Sequence, residues 1–383
     1  MIAQATIAAM DVNAPLVLLG GLSPQQFMQR HWQKKPLLVR QALPGALPPL
    51  GRAALFDLAG RDDVESRLVV HKPSGWQVRP GPLPRRALPP AKQPRWTLLV
   101  QGLDLHVAAA HALLSRFRFV PEARLDDLML SWASDGGGVG PHLDSYDVFL
   151  IQLQGRRRWR VGRVPDKTLV DGMPLKILQH FEPQHDWLLE PGDMLYLPPN
   201  WGHDGIADGE CMTGSVGFRA PSDDGLAREL LQRLAQSDEV EGRLYRDPKQ
   251  SATATPAAVP AALQEFARDA LEQLVNERGA LARALGEVLS EPKPRVWFEA
   301  GVPWLPAQAV RLDAKTRMLY DSEHVFINGE AFDASGRDAR LMQRLADERC
   351  LSARDGAALS AGARELLADW VASGWAYGVS EAA

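Results

Sequence analysis

Gly136-Gly137-Gly138-Val139-Gly140-Pro141-His142-Leu143-Asp144-Ser145-Tyr146-Asp147-Val148-Phe149-Leu150-Ile151-Gln152-Leu153 is the stretch that decides how this chain is read. It begins in glycines, a turn signal, and ends in a near-continuous apolar strand. His142 and Asp144 are two apart, and on a strand such residues share a face. One imidazole and one carboxylate therefore point together toward the interior of the predicted sheet. A carboxylate taken out of water is costly unless something compensates it, so the pair predicts a partner.

That partner is found in Asn200-Trp201-Gly202-His203. It follows Pro191-Gly192-Asp193-Met194-Leu195-Tyr196-Leu197-Pro198-Pro199, which reads as a turn, a strand and a tight loop. Two histidines and one aspartate make the facial triad of non-haem Fe(II) oxygenases, with three coordination positions left open. Nothing in the set is soft enough to prefer copper, and the lack of a third histidine argues against a hydrolytic zinc site. An H-x-D pair alone is commonly a surface accident. The apolar strand behind it and the long run before His203 give it meaning. The remaining histidines (His31, His71, His106, His111, His180, His185 and His324) lack that context and read as solvated or internally satisfied. His180 and His185 stand in reserve.

Further along the strand lies Gln154-Gly155-Arg156-Arg157-Arg158-Trp159-Arg160. Alternation puts Arg157 and Trp159 on one face and Arg156, Arg158 and Arg160 on the other. An arginine aimed into a barrel requires an anion. A dicarboxylate co-substrate supplies one in a charge-assisted pair, so Arg157 is the candidate anchor for 2-oxoglutarate. The alternative for the arginine run is a solvated basic loop.

Short strands are expected over 128–133, 148–153, 158–161, 186–189, 194–197 and 212–218. Turn signals separate them at Asp135-Gly136, Gln154-Gly155, Pro191-Gly192-Asp193 and Asp208-Gly209. This spacing predicts a jelly-roll sandwich or barrel. The first hundred residues hold 13 of the 29 prolines, which excludes long helices there. Ser23 reads as the N-cap of a short helix with Pro24 in its first turn, and residues 32–40 read as a turn entering a strand.

From 224 to 289 leucines recur at helical spacing, interrupted by a low-complexity loop around 251–256. These helices serve either as a dimer interface or as internal packing. Pro292-Lys293-Pro294 reads as a linker. An alternating tail follows, with Val296, Phe298, 318–320 and 325–327 as strand material, Asn328-Gly329 as a hairpin turn, and helices over 339–349 and 360–372. A winged-helix-like module fits this pattern. Its mixed charges rank DNA binding below protein binding or simple capping.

Composition sets the outer bounds. The 383 residues are 45% hydrophobic and 23% charged, which excludes wholesale disorder and predicts two or three domains. A net charge of −4 gives no global basic field for bulk nucleic-acid binding. Cys211 and Cys350 are too few for a disulfide framework and fit a reducing cytosol. The start carries no charged n-region, and no apolar run reaches the length of about 18 residues that a spanning helix needs. A cytoplasmic chain without membrane contact is the expectation.

From Leu128 to Phe218 the chain resembles the JmjC branch of the cupin-type 2-oxoglutarate oxygenases. It is most similar to the bacterial ribosomal oxygenases of the YcfD type, which hydroxylate arginine. The residues quoted above carry the resemblance, together with Glu190 before Pro191 and the opening His31-Trp32-Gln33-Lys34-Lys35-Pro36-Leu37. It implies an α+β chain in three parts. These are a double-stranded β-helix catalytic domain over 1–222, a helical dimerisation region over 223–291 and a winged-helix-like domain over 292–383. It implies Fe(II) on His142, Asp144 and His203, 2-oxoglutarate on Arg157 with a contact from Ser131, and O₂ as oxidant. It implies a substrate arginine, hydroxylated at its β-carbon, in a large-subunit ribosomal protein, number sixteen. Succinate and CO₂ would be the other products, and the chain would be a homodimer. Asp135 would meet the substrate guanidinium, or is a plain Asp-Gly turn residue. Tyr146 would line the same pocket, or fills core. Two alternatives stand beside this: a JmjC-type protein demethylase, and a non-enzymatic cupin and winged-helix regulator. Direct binding of duplex nucleic acid is not expected.

Overall fold

Helix α1 (Pro24–Arg30) begins where Ser23 accepts from the Gln26 backbone and the Gln26 side chain accepts from the Ser23 N–H, a reciprocal cap. After it come β1 (Leu37–Val39), α2 (Arg52–Leu58), the hairpin β2 (Ser66–Lys72) and β3 (Gly75–Pro80), then β4 (Trp96–Val100) and α3 (Ala108–Ser115). The core strands are β5 (Leu125–Ala133), β6 (His142–Leu143), β7 (Val148–Arg163), β8 (His185–Leu189), β9 (Met194–Leu197) and β10 (Trp201–Phe218). The computed structural model describes residues 10–236, 243–277, 279–305 and 308–380.

Ten antiparallel strands form one sheet in the order β1-β9-β7-β10-β5-β4-β2-β3, with β6 added to β10 and β8 to β7. The sheet folds over as a double-stranded β-helix, with β1 and β3 as the ends of its strand order. Two expected turns are absent. Gln154-Gly155 and Asp208-Gly209 lie inside β7 and β10, which run unbroken for 16 and 18 residues. The glycines instead mark facing irregularities, where the register slips between Asp208 and Met212. Such bulges bend paired strands and let one long ribbon serve both walls of a roll.

The main core gathers Phe27, Trp96, Trp132, Phe149, Tyr196 and Phe218, all 2% exposed or less. Each such side chain contributes about 2–3 kcal/mol by removal from water. In the opening segment Trp32 packs against this core. The Gln33 backbone donates to the Tyr196 hydroxyl (2.8 Å), and the Gln33 side chain donates to Asp147 (3.1 Å). Tyr196 in turn donates to the fully buried Asp147 at 2.6 Å. This clamp fixes the chain three residues after Asp144.

The described residues up to Ala220, with 294–299 and 313–315, form one compact unit. Those of 221–293, 300–312 and from 316 onward form the other. In the second unit, helices α4 (Asp223–Leu234), α5 (Ala261–Asn276) and α6 (Ala280–Ser290) precede β11 (Ala309–Leu312), β12 (Met318–Tyr320), β13 (His324–Ile327) and β14 (Glu330–Asp333). There follow α7 (Gly336–Glu348), β15 (Cys350–Leu351), α8 (Ala353–Ala357), α9 (Ala361–Ala372) and β16 (Ala376–Val379). Asn328 and Gly329 both take positive φ, 50° and 90°, in the two-residue turn between β13 and β14. The expected strand at Val296 and Phe298 does not form; Ala309–Leu312 pairs with Cys350–Leu351 and Ala376–Val379 instead. Leu345, Leu367, Trp370 and Ile327 centre this unit's own core. Among the described residues no helix is long and apolar enough to cross a membrane.

Candidate metal and co-substrate site

A cavity of about 530 Å³ opens between the roll and the β2–β4 extension. His142 on β6 pairs in register with His203 on β10, so one sheet places both imidazoles. Their ring centroids are 4.2 Å apart, and His203 Nε2 lies 3.6 Å from Asp144 Oδ2. One ligand-type atom from each of His142, Asp144 and His203 falls within 4.8 Å of the others, a grouping that could hold a metal ion.

The imidazole orientation is set by backbone. His142 Nδ1 faces the Gly140 carbonyl at 2.8 Å, and His203 Nδ1 faces the Trp201 carbonyl at 3.1 Å. A carbonyl only accepts, so each Nδ1 carries the proton and each Nε2 presents a bare lone pair to the group. Burial pushes the His203 imidazole well below its usual pKa, and His142 adds to this while Asp144 opposes it. His203 is therefore neutral at pH 7, the form that ligates. Two imidazole nitrogens and one carboxylate on one side suit Fe(II).

Two glycines make this geometry possible. Gly140 has φ of 77°, and a Cβ there would lie 2.6 Å from Ile177 Cδ1. A Cβ on Gly205 would lie 2.6 Å from the Trp159 ring, which stands beside His203 at 5.9 Å.

Arg157 reaches the same cavity from β7 and is 5% exposed. Its Nη1 donates to Ser131 Oγ and Thr213 Oγ1, both at 3.3 Å. Ser131 donates onward to the Thr213 carbonyl, and Thr213 to Gln152 Oε1. These neutral oxygens position the guanidinium but do not neutralise it. Among the described residues Arg157 Nε is buried without a hydrogen-bond partner, and so is Trp159 Nε1; the guanidinium carbon lies 5.4 Å from the centroid of that indole. A buried cation without a counter-ion is costly, so the cavity is built to receive an anion. A dicarboxylate suits this lining, because the three-residue group and Arg157 both face the one cavity.

Tyr146 lines the cavity and is 39% exposed. Burial of the phenol end, then the Asp144 and Asp127 carboxylates, hold it above its ordinary pKa. Asp135 is exposed and lies outside the cavity lining; its carboxylate accepts from the Gly209 N–H at 2.9 Å. His180 and His185 are exposed and take no part in the group. Sequence reasoning missed Thr213, Gln152 and the cavity wall given by Val69, Val78, Thr97 and Leu99. On β4 every residue is buried, so no alternation marked Thr97 and Leu99 as that wall.

Fold and site together define a JmjC-type cupin joined to a winged helix. The family model described as the JmjC domain matches residues 112–226, and that of the ROXA-like winged helix matches 262–377. The ribosomal protein uL16 3-hydroxylase of Escherichia coli (strain K12) is 36% identical, over 86% of this chain and 90% of that protein. The probable ribosomal oxygenase of Haemophilus influenzae is 29% identical, over 93% and 96%. A solved structure of E. coli ycfD superposes with a TM-score of 0.82 at 33% identity, covering 93% of this chain and 98% of that one. Another, of YcfD in complex with cobalt and 2-oxoglutarate, gives 0.79 at 32% identity with the same coverage. The chain belongs to the family of JmjC-domain ribosomal oxygenases.

Proposed function

We propose that the chain is an Fe(II)- and 2-oxoglutarate-dependent oxygenase that hydroxylates the β-carbon of an arginine in the large-subunit ribosomal protein uL16. The observation that carries it is the buried, uncompensated Arg157 in one cavity with His142, Asp144 and His203. The relative named for uL16 3-hydroxylation supplies the substrate class. With O₂, the bound metal and 2-oxoglutarate supply oxidative decarboxylation to succinate and CO₂ coupled to C–H hydroxylation.

The protein's own residues supply position and dryness. His142, Asp144 and His203 would hold the metal, the two imidazole tautomers fixed by the Gly140 and Trp201 carbonyls. Arg157 binds the distal carboxylate of 2-oxoglutarate, steadied by Ser131 and Thr213. Trp159, backed by Gly205, closes the wall between anchor and metal group and excludes water. Tyr146 and Asp135 are the substrate-side residues: Tyr146 at the lining, and Asp135 on the glycine loop, where its present bond to Gly209 must be shared or exchanged.

Residues 1–222 act as the catalytic domain, 223–291 as the dimerisation region and 292–383 as the winged-helix domain. The homodimer reading is supported by α5, which has no buried residue and exposes Leu263, Leu271 and Val275. A ribosomal-protein substrate supports a cytoplasmic location. The test is incubation with Fe(II), 2-oxoglutarate and uL16. Succinate release and a gain of one oxygen atom on an arginine-containing fragment are expected. Loss of a methyl group from the substrate would favour a demethylase, and no turnover with metal and 2-oxoglutarate bound would favour a regulator.

A further inference from the structure

Residues 66–103 contain no Asp or Glu, yet they carry Arg67, Lys72, Arg79, Arg85, Arg86, Lys92 and Arg95. Seven cations without an acid over 38 residues form a local basic band in a chain whose net charge is −4. All seven side chains are exposed. Arg67 faces the cavity and donates to Gln101, and Arg85 pairs with Asp57. Lys72, Arg79, Arg86, Lys92 and Arg95 form no ion pair among the described residues. Two of the three arginines on the outer face of β7 differ: Arg156 pairs with Asp208 and Arg158 with Asp186.

The band borders the site. It occupies β2, β3 and the loop to β4, whose Val69, Val78, Thr97 and Leu99 line the cavity. The Arg95 N–H donates to the Asp135 carbonyl at 2.8 Å, and Arg95 Cγ would lie 3.3 Å from a Cβ on Gly136. Arg95 thus reaches the glycine loop that leads into His142. Pro80, Pro82, Pro84, Pro89, Pro90 and Pro94 stiffen the segment, so its charges are held in place before any partner arrives. Trp76, stacked on His71 at 4.3 Å, adds an aromatic face on the same hairpin.

β3 ends the sheet, and edge strands carry cations to discourage pairing with other chains. That explains Arg79. It does not explain Arg86, Lys92 and Arg95, which lie off the strand, nor the exclusion of every acid, since acids serve solubility at least as well. A segment of exposed cations without an acid attracts a polyanion.

We infer that this band is an RNA-docking surface, gripping the phosphate backbone beside the cavity so that the ribosomal protein is presented on RNA rather than free. The identity of that RNA rests on the ribosomal-protein reading; the band's affinity for RNA does not. Contacts to phosphate carry no sequence preference and weaken steeply with salt.

The test uses the full chain and a fluorescein-labelled single-stranded RNA of about 20 nucleotides, titrated by anisotropy between about 50 and 200 mM salt. Wild type should bind, with log K falling linearly against log salt. Lys72→Glu/Arg86→Glu/Lys92→Glu should bind more than tenfold more weakly and lower the slope by about 2, near 0.7 per lost phosphate contact. The same variant should hydroxylate a free substrate peptide at the wild-type rate. If charge reversal impairs folding, the triple Gln variant should show the same loss of slope. No wild-type binding at low salt, or unchanged affinity and slope in the folded variant, overturns the inference. Equal binding of poly-glutamate overturns it in favour of an acidic protein. RNA binding without any hydroxylation would leave the band standing and remove the functional reading.

Discussion

Consecutive arginines on β7 meet opposite fates on its two faces. Outward, Arg156 and Arg158 sit about half exposed and pair with Asp208 and Asp186 at 3.0 and 2.8 Å. Inward, Arg157 is buried over the Trp159 ring, and among the described residues its hydrogen bonds go to the hydroxyls of Ser131 and Thr213. The outward pairs lie in high dielectric and are worth about 0–1 kcal/mol each. The inward guanidinium has lost its water and gained no counter-ion, so its cost is recovered only when an anion arrives. Burial without compensation, not density of charge, separates a binding residue from a solvated one on the same strand.

The comparison breaks first at the metal group. His203→Ala or Asp144→Ala should lower turnover by about 10³-fold or more, equivalent to about 4 kcal/mol, with Co(II) binding lost from visible absorption spectra. Retained Co(II) binding in a folded variant would move the site elsewhere. Next comes the anchor. Arg157→Ala should raise the KM for 2-oxoglutarate by about 10²-fold, close to 3 kcal/mol, and Arg157→Lys should recover part of that. Calorimetry with Co(II) and 2-oxoglutarate checks this without turnover.

How much of this was legible beforehand depends on distance along the chain. The gathering of His142 and Asp144 needs only period-2 alternation, and the Pro-Gly-Asp turn and Pro-Pro loop point to His203. The inward aim of Arg157 follows from the same alternation. The polar cradle around it does not. Thr213 comes within reach of Arg157 only because β7 and β10 slip register between Asp208 and Met212. Local signals at Gly155 and Gly209 read as turns, since a glycine at positive φ looks alike in a hairpin and in a bulge. Which it becomes is decided by the partner strand: a Cβ on Gly155 would lie 2.1 Å from the Glu210 carbonyl oxygen, a contact between residues far apart in sequence. The helices α4 to α6 and the β13–β14 turn were legible, because local periodicity and Asn-Gly chemistry suffice there. The small sheet of β11, β15 and β16 was not, because each strand is short and its partners are remote.

Two stability measurements sharpen the contrast between inner and outer surfaces. Gly205→Ala forces a methyl group against the Trp159 ring and should cost about 2 kcal/mol, read as a lowered Tm. Because Trp159 stands beside His203, metal affinity should fall with it; an unchanged affinity would show that the indole does not brace the site. Asp193, 2% exposed at the turn before β9, tests buried charge that is compensated. Burial alone would raise its pKa. The backbone N–H groups of Gln41 and Glu190 and the Arg40 guanidinium outweigh that and hold it below its ordinary value. A depressed carboxyl contributes fully above its unfolded pKa of about 3.9, and that contribution is lost as pH falls through the folded value. Asp193→Asn should therefore cost about 1.5 kcal/mol at pH 7 and show a shallower loss of Tm between pH 5 and pH 3 than wild type. Parallel acid limbs would assign the acid sensitivity to other groups.

The smallest effect is expected on the outer face. Arg158 carries the same guanidinium as Arg157, one residue away, and its pair with Asp186 is geometrically good at 2.8 Å. Its side chain is 46% exposed and that of Asp186 is 49% exposed, so water already solvates both charges. Arg158→Ala should change stability by less than about 1 kcal/mol and leave the KM for 2-oxoglutarate unaltered. The residual effect should shrink further as salt rises, since exposed pairs are screened. Should Arg158→Ala raise that KM as Arg157→Ala does, the two faces would be acting as one electrostatic unit. The anchor would then be the arginine run as a whole rather than the single buried side chain.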